Sequence, residues 1–114
     1  MIYTTTKNWL PGIFLISVMV PSAMLWATHE GFTESAISTS AGGAHSVYVI
    51  DVDSDGDMDV LSASFYDDKI AWYENDGSES FTEHVISTSA NSAFSVHAAD
   101  VDGDGDMDVL SASR

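Results

Sequence analysis

From Phe32 onward the apolar positions recur with a period of two in short runs, each closed by turn residues. Residues 69–74 alternate cleanly, with Ile70 and Trp72 on one face and Lys69, Ala71 and Tyr73 on the other. Residues 32–37 and 81–86 are rich in Thr and branched side chains. Residues 46–50 and 95–99 form a second pair of runs. In the first, Val47 and Val49 alternate with Tyr48 and Ile50, so both faces read as buried. In the second, Val96 and Ala98 alternate with His97 and Ala99. Residues 60–64 and 109–113 carry small side chains, which allow stacked sheets to approach closely. Gly42-Gly43, Asn91-Ser92, Tyr66-Asp67-Asp68 and above all Asn75-Asp76-Gly77 mark the turns. After Gly31 the pattern holds no helical period, and the expected fold class is all-β.

The N-terminal part reads differently. Residues 1–8 are polar with Lys7 as the one charge, and residues 9–27 carry none. A positive residue, an apolar core over 13–20 and small residues after Pro21 read as a secretion signal with cleavage near Ala23 or Ala27. The alternative is an uncleaved membrane anchor, because 19 residues can span hydrocarbon as a helix. Pro11, Gly12 and Pro21 interrupt that helix. Either case gives residues 1–27 as signal peptide or membrane anchor, an apolar N-terminal helix that contains Trp26. Both place the acidic part outside the cytoplasm.

The rest of the chain repeats itself. Residues 32–64 align without a gap on residues 81–113, with 24 of 33 positions identical and a period of 49. Four strands in such a unit suit one blade of a β-propeller, whose faces are covered by neighbouring blades. The expected architecture is a partial propeller of about 1.7 repeats of 49 residues, with a first blade over 28–80 and a second, incomplete one over 81–114.

Each repeat contains one acidic stretch. The first runs Asp51-Val52-Asp53-Ser54-Asp55-Gly56-Asp57-Met58-Asp59, the second Asp100-Val101-Asp102-Gly103-Asp104-Gly105-Asp106-Met107-Asp108. Five carboxylates in nine residues repel one another unless a cation offsets them. Ca²⁺ takes six to eight oxygens in an adaptable shell, and Gly56 or Gly105 permits the reversal. The Glu that closes a helix-loop-helix calcium site at position 12 is replaced by Ser62 or Ser111, so the loop closes early. The expected ligands are Asp51, Asp53, Asp55 and Asp59 with the Asp57 carbonyl, and Asp100, Asp102, Asp104 and Asp108 with the Asp106 carbonyl. Mg²⁺ demands stricter octahedral geometry, and transition metals call for His or Cys, which neither loop contains. The bland alternative is a solvated acidic turn, which has no need of the alternation, the glycine or the repeat.

Composition narrows the function classes. The chain has 18 acidic and 3 basic side chains, a net charge of -15 and no cysteine. Such a chain disfavours nucleic acid as a partner. Without Cys there is no disulfide, thiolate nucleophile or Cys-based metal site. Weak calcium sites, with Kd of roughly 10⁻⁴–10⁻³ M, belong to calcium-rich extracellular surroundings.

The paired acidic stretches, followed by Val-Leu and by Ile70-Ala71-Trp72-Tyr73-Glu74-Asn75, resemble the FG-GAP/VCBS repeat family. The resemblance covers residues 32–113. It implies calcium-binding blades of the integrin-alpha type, found in secreted or surface proteins, with the calcium stapling a strand pair. By resemblance the ligands fall on Asp51, Asp53, Asp55 and Asp59, and on Asp100, Asp102, Asp104 and Asp108. The expected function is an extracellular calcium-binding structural or interaction module for adhesion or surface display, and not an enzyme. Its alternatives are the non-catalytic part of a secreted polysaccharide-acting enzyme, or a fragment without independent function. Expected partners beyond calcium are other blades, proteins or extracellular glycan, and a membrane only with an uncleaved N-terminal segment. Glu34 and Glu83 share a repeat position and read as scaffold. His29, His45, His84 and His97 fall at unmatched positions, which argues against a repeated histidine site. Trp72 and Tyr73 read as packing residues between blades, and Lys69 as a solvated strand residue.

Overall fold

The computed structural model describes residues 1–7 and 31–114. Eight strands follow one another: β1 (Ile2–Lys7), β2 (Phe32–Ser38), β3 (Ala44–Ile50), β4 (Asp59–Ser64), β5 (Lys69–Asn75), β6 (Phe81–Ser87), β7 (Ser95–Ala99) and β8 (Asp108–Ala112). They pair antiparallel into three sheets, β1-β2, β3-β4-β5-β6 and β7-β8.

The all-β expectation therefore stands, but two parts of the expected architecture do not. No sheet closes into a propeller: the described residues form three small sheets of two, four and two strands, and none of them curls round to meet itself. No helix occurs among the described residues, and Ile2–Lys7 is a strand. The apolar stretch 9–27 lies outside the described residues.

Sheet and repeat are also out of phase. The turn over 76–80 is too short for anything but a hairpin, so β6, the opening strand of the second repeat, pairs with β5 of the first. Asp76 N–H donates to the Ser80 carbonyl at 3.1 Å, and Asp76 Oδ1 accepts from Ser78 N–H at 2.9 Å. The segment from β2 to β3 crosses instead to the next sheet.

Period-two alternation sends the two faces of the central sheet to different neighbours. Leu61, Ala63 and Ile70 pack with Val96, Ala98, Ala90 and Ala93 on the side of β7-β8. Val60, Ala71 and Tyr73 pack with Ile2 and Ala41 on the side of β1-β2. Every residue of β4 is buried, and its alanines and serines let both neighbours close in. Tyr73 is buried and Trp72 half-buried, stacked on His84 at 4.6 Å. Val47 and Val49 differ from the expectation of a strand buried on both faces: they are 54 % and 56 % exposed. They point to the side of β1-β2, a two-stranded sheet whose core contacts run to β4 and β5 through Val60, Ala71 and Tyr73.

The β4–β5 turn ties successive repeats together. Phe65 and Tyr66 N–H donate to the carbonyls of Gly43 and Gly42, both at 3.0 Å. Asp67 Oδ2 accepts from Gly42 N–H at 3.1 Å. Asp68 reaches the next repeat, its carbonyl accepting from Ala90 N–H at 3.0 Å and its Oδ1 from Ser92 N–H at 2.7 Å. Gly43 has φ +63°, and a Cβ there would lie 2.5 Å from the Tyr66 ring, so glycine is required.

Lys69 is not solvated. It is buried, and its Nζ donates to Glu83 Oε1 at 2.7 Å and to the Ser40 carbonyl at 3.2 Å, with Asp67 Oδ2 at 3.7 Å. Desolvation pushes the ammonium pKa down, but the hydrogen bond and charge of Glu83, with Tyr73 and Asp67, outweigh it and hold the group above its ordinary value.

Candidate metal centre

Each acidic loop begins where one strand ends and finishes where the next begins. Ile50 pairs with Asp59 at the mouth of the first loop, Ala99 with Asp108 at the mouth of the second. The last carboxylate is therefore fixed by a strand, while the others are placed by the loop's own hydrogen bonds. Asp51 Oδ1 accepts from Asp55 N–H at 3.1 Å and its Oδ2 from Gly56 N–H at 3.0 Å. Asp53 Oδ1 accepts from Asp55 N–H at 3.2 Å, and Asp55 Oδ1 from Asp57 N–H at 2.8 Å. The second loop repeats this scheme. Asp100 accepts from Asp104 and Gly105 N–H at 3.1 Å, Asp102 from Asp104 N–H at 3.2 Å and Asp104 from Asp106 N–H at 2.9 Å. Gly56 and Gly105 stand at φ +99° and +100°, which no side chain would tolerate without strain.

The outcome is two matching triads. Carboxylate oxygens of Asp51, Asp53 and Asp59 lie within 4.8 Å of one another, and so do those of Asp100, Asp102 and Asp108. Of the carboxylates expected from sequence, these six converge. Asp55 and Asp104 stand outside the triads and use their carboxylates to cap the turn. The Asp57 carboxylate leans toward the β5–β6 turn, where its Oδ2 would sit 2.5 Å from a Cβ on Gly77. That contact explains a glycine at φ +76° in a neighbouring hairpin, a link that sequence spacing does not reveal.

The two triads differ in their surroundings. Asp59 is fully buried, its Oδ2 accepting from Val52 N–H at 3.0 Å and its Oδ1 from Asn75 N–H on β5 at 2.8 Å. Asp108 Oδ2 accepts from Val101 N–H at 3.0 Å, but Asp108 is exposed, since among the described residues β8 pairs with β7 alone. The Asp53 carboxyl is held above its ordinary range, by desolvation first and then by the charges of Asp55, Asp59 and Glu74, against a lowering hydrogen bond from Asp55 N–H. Crowded negative charge of this kind favours a bound cation.

Other titratable pairs lie apart from the loops. His84 Nε2 is 2.6 Å from Glu74 Oε2 across β5 and β6, and Glu83 holds Lys69. His45 Nδ1 is 3.2 Å from the Phe94 carbonyl, and His97 lies against Tyr48 at 4.3 Å.

Comparison with known proteins agrees with the loop chemistry. No curated protein and no solved structure matches the chain. A family model described as an FG-GAP-like repeat matches residues 51–111, from the first carboxylate of the first loop into β8. That span is more than half of the chain and takes in both loops with strands β4 to β7 between and beside them; the chain belongs to the FG-GAP-like repeat family.

Proposed function

We propose that the chain is a calcium-binding structural module that works outside the cytoplasm, where its sheets present a surface for adhesion or display. The observation that carries this reading is the duplicated triad of carboxylates at a strand-strand junction. The donor set fits a hard cation: it is all oxygen, carries no His or Cys, and sits in a loop able to adjust. Asp51, Asp53 and Asp59 would hold one ion and Asp100, Asp102 and Asp108 the other, with Asp55, Asp104 and the carbonyls of Asp57 and Asp106 near enough in sequence to complete each shell.

A bound ion supplies positive charge that offsets the clustered carboxylates and links the end of one strand to the start of the next. The protein's own part is to aim the oxygens. Backbone N–H groups at loop positions five and six hold the first carboxylate in place. The uncharged stretch 9–27 behind Lys7 supports export to a compartment rich in calcium.

Melting followed by circular dichroism in chelator and in millimolar calcium tests the proposal. Binding to the folded state alone stabilises it by about 2.7 kcal/mol at a hundredfold excess over Kd, which raises Tm by several degrees. Equal Tm in the two buffers overturns it.

A further inference from the structure

We infer that Asn75 is the positioning residue of the first cation site: from outside the loop, it sets the arm by which the loop returns to the sheet. The inference rests on the calcium reading above and adds to that site a residue that the acidic spacing does not contain. Asn75 ends β5 and pairs with Phe81 of β6. By spacing alone it is a turn residue, the first of Asn75-Asp76-Gly77. In the structure it makes three bonds. Its backbone N–H donates to Asp59 Oδ1 at 2.8 Å, its Nδ2 donates to the Met58 carbonyl at 3.1 Å, and its Oδ1 accepts from Gly77 N–H at 3.2 Å. One half-buried residue thus holds two consecutive residues of the loop and the hairpin beside it.

Each bond acts on a different part of the arm. Asp59, the last carboxylate of the triad, is aligned by Asn75 N–H on one oxygen and by Val52 N–H on the other. Any residue except proline supplies that backbone donor. The Met58 bond needs the side chain. The peptide unit is planar, so a donor that fixes the Met58 carbonyl also fixes the plane that leads into Asp59. The direction in which the Asp59 carboxylate leaves the backbone is set there. Asp57, whose carbonyl is one of the expected ligands, is braced through the hairpin. Its Oδ2 lies where a Cβ on Gly77 would come within 2.5 Å, and Asn75 Oδ1 holds Gly77 in place. Asp51, Asp53 and Asp55 are held otherwise, by N–H groups of the loop itself.

Asparagine suits this task because one rigid amide offers a donor and an acceptor without charge. Aspartate at the same place would have no donor for Met58 and would add a carboxylate to a crowded loop. Groups that orient a metal ligand without touching the metal change affinity by about 10- to 100-fold when removed.

The test is a calorimetric titration of the full chain with calcium alone, in an Asp102→Asn background that silences the second loop. The Asp102→Asn parent should take up one ion. Asn75→Ala loses both side-chain bonds and should bind about tenfold more weakly or worse. Asn75→Ser is the milder variant: its hydroxyl still accepts from Gly77 N–H, as serine does in turns, but is too short to reach the Met58 carbonyl. It should show a loss of the same order, and it decides the matter if Asn75→Ala does not fold. Ser78→Ala is the control. It removes the 2.6 Å bond from the Ser78 hydroxyl to Asp76 Oδ1 in the same hairpin, and its Kd should stay within about twofold of the parent. Circular dichroism in chelator verifies that each variant is folded. Equal Kd for the parent and Asn75→Ser overturns the inference and leaves the calcium site standing. An equal loss in Ser78→Ala also overturns it, because hairpin stability would then account for the effect. A parent that takes up no calcium overturns the calcium reading itself, and this inference with it.

Discussion

Asp59 accepts two backbone hydrogen bonds in a site with no exposed surface, whereas Asp108, at the same place in its repeat, is open to water. Asp59→Ala leaves the N–H groups of Val52 and Asn75 without an acceptor, and each bond to a charged group is worth about 1.5–3 kcal/mol. The variant should lose about 3 kcal/mol or more in denaturant unfolding even in chelator, and Asp108→Ala less than about 1 kcal/mol. Equal losses would show that burial is not what separates the two sites. Lys69 makes a second residue-scale case. Its folded pKa lies above the unfolded one, so its contribution is complete below the ordinary lysine value of about 10.4 and fades as pH rises through the higher folded value. Wild-type Tm should fall over that alkaline range more steeply than that of Lys69→Met; parallel curves would remove Lys69 from the account. The carboxylates were legible in the sequence because their spacing carries the chemistry. The burial of Lys69 was not, because Ser40 and Glu83 come to it from other elements.

At the scale of elements, seven of the eight strands among the described residues are written in alternation and turn residues, but their assignment to sheets is not. A strand carries the same pattern whether it ends one sheet or begins another. What decides is the connection: the short turn after Asn75 holds β6 to β5, while the Asp68 bonds to Ala90 and Ser92 send the chain across to β7. β1 is hidden in the sequence for a different reason. Thr4, Thr5 and Thr6 suit a strand, yet beside an uncharged run they read as the polar start of a leader. The two roles conflict. Cleavage near Ala23 or Ala27 would take β1 away, free one edge of β2 and remove Ile2 from its cluster with Tyr73 and Ala71. A chain beginning at Thr28 should therefore melt below the full chain, with faster amide exchange confined to β2 and its neighbours in β4 and β5. Identical exchange in those strands would mean that β1 contributes nothing to the fold.

For the molecule as a whole the governing quantity is charge. The net value is -15, and 10 of the 18 acidic side chains lie in two short loops. Three carboxylates in each loop share a space under 4.8 Å across, well inside a Debye length of about 10 Å at 0.1 M salt. Monovalent salt screens repulsion between the loops and the rest of the surface, but it acts weakly between groups closer than that length. An ion bound among the oxygens acts on those short-range terms directly. In chelator, raising sodium chloride from low ionic strength to about 0.5 M should lift Tm modestly as the long-range repulsion is screened. Millimolar calcium should lift it further at either salt concentration, although its ionic strength is far smaller. Replacing Asp53 and Asp102 by Asn together should abolish the calcium increment while leaving the response to sodium chloride. If sodium and calcium chloride at matched ionic strength raised Tm alike, the loops would be acting as diffuse negative charge, and the reading of two oxygen-lined cation sites would fail.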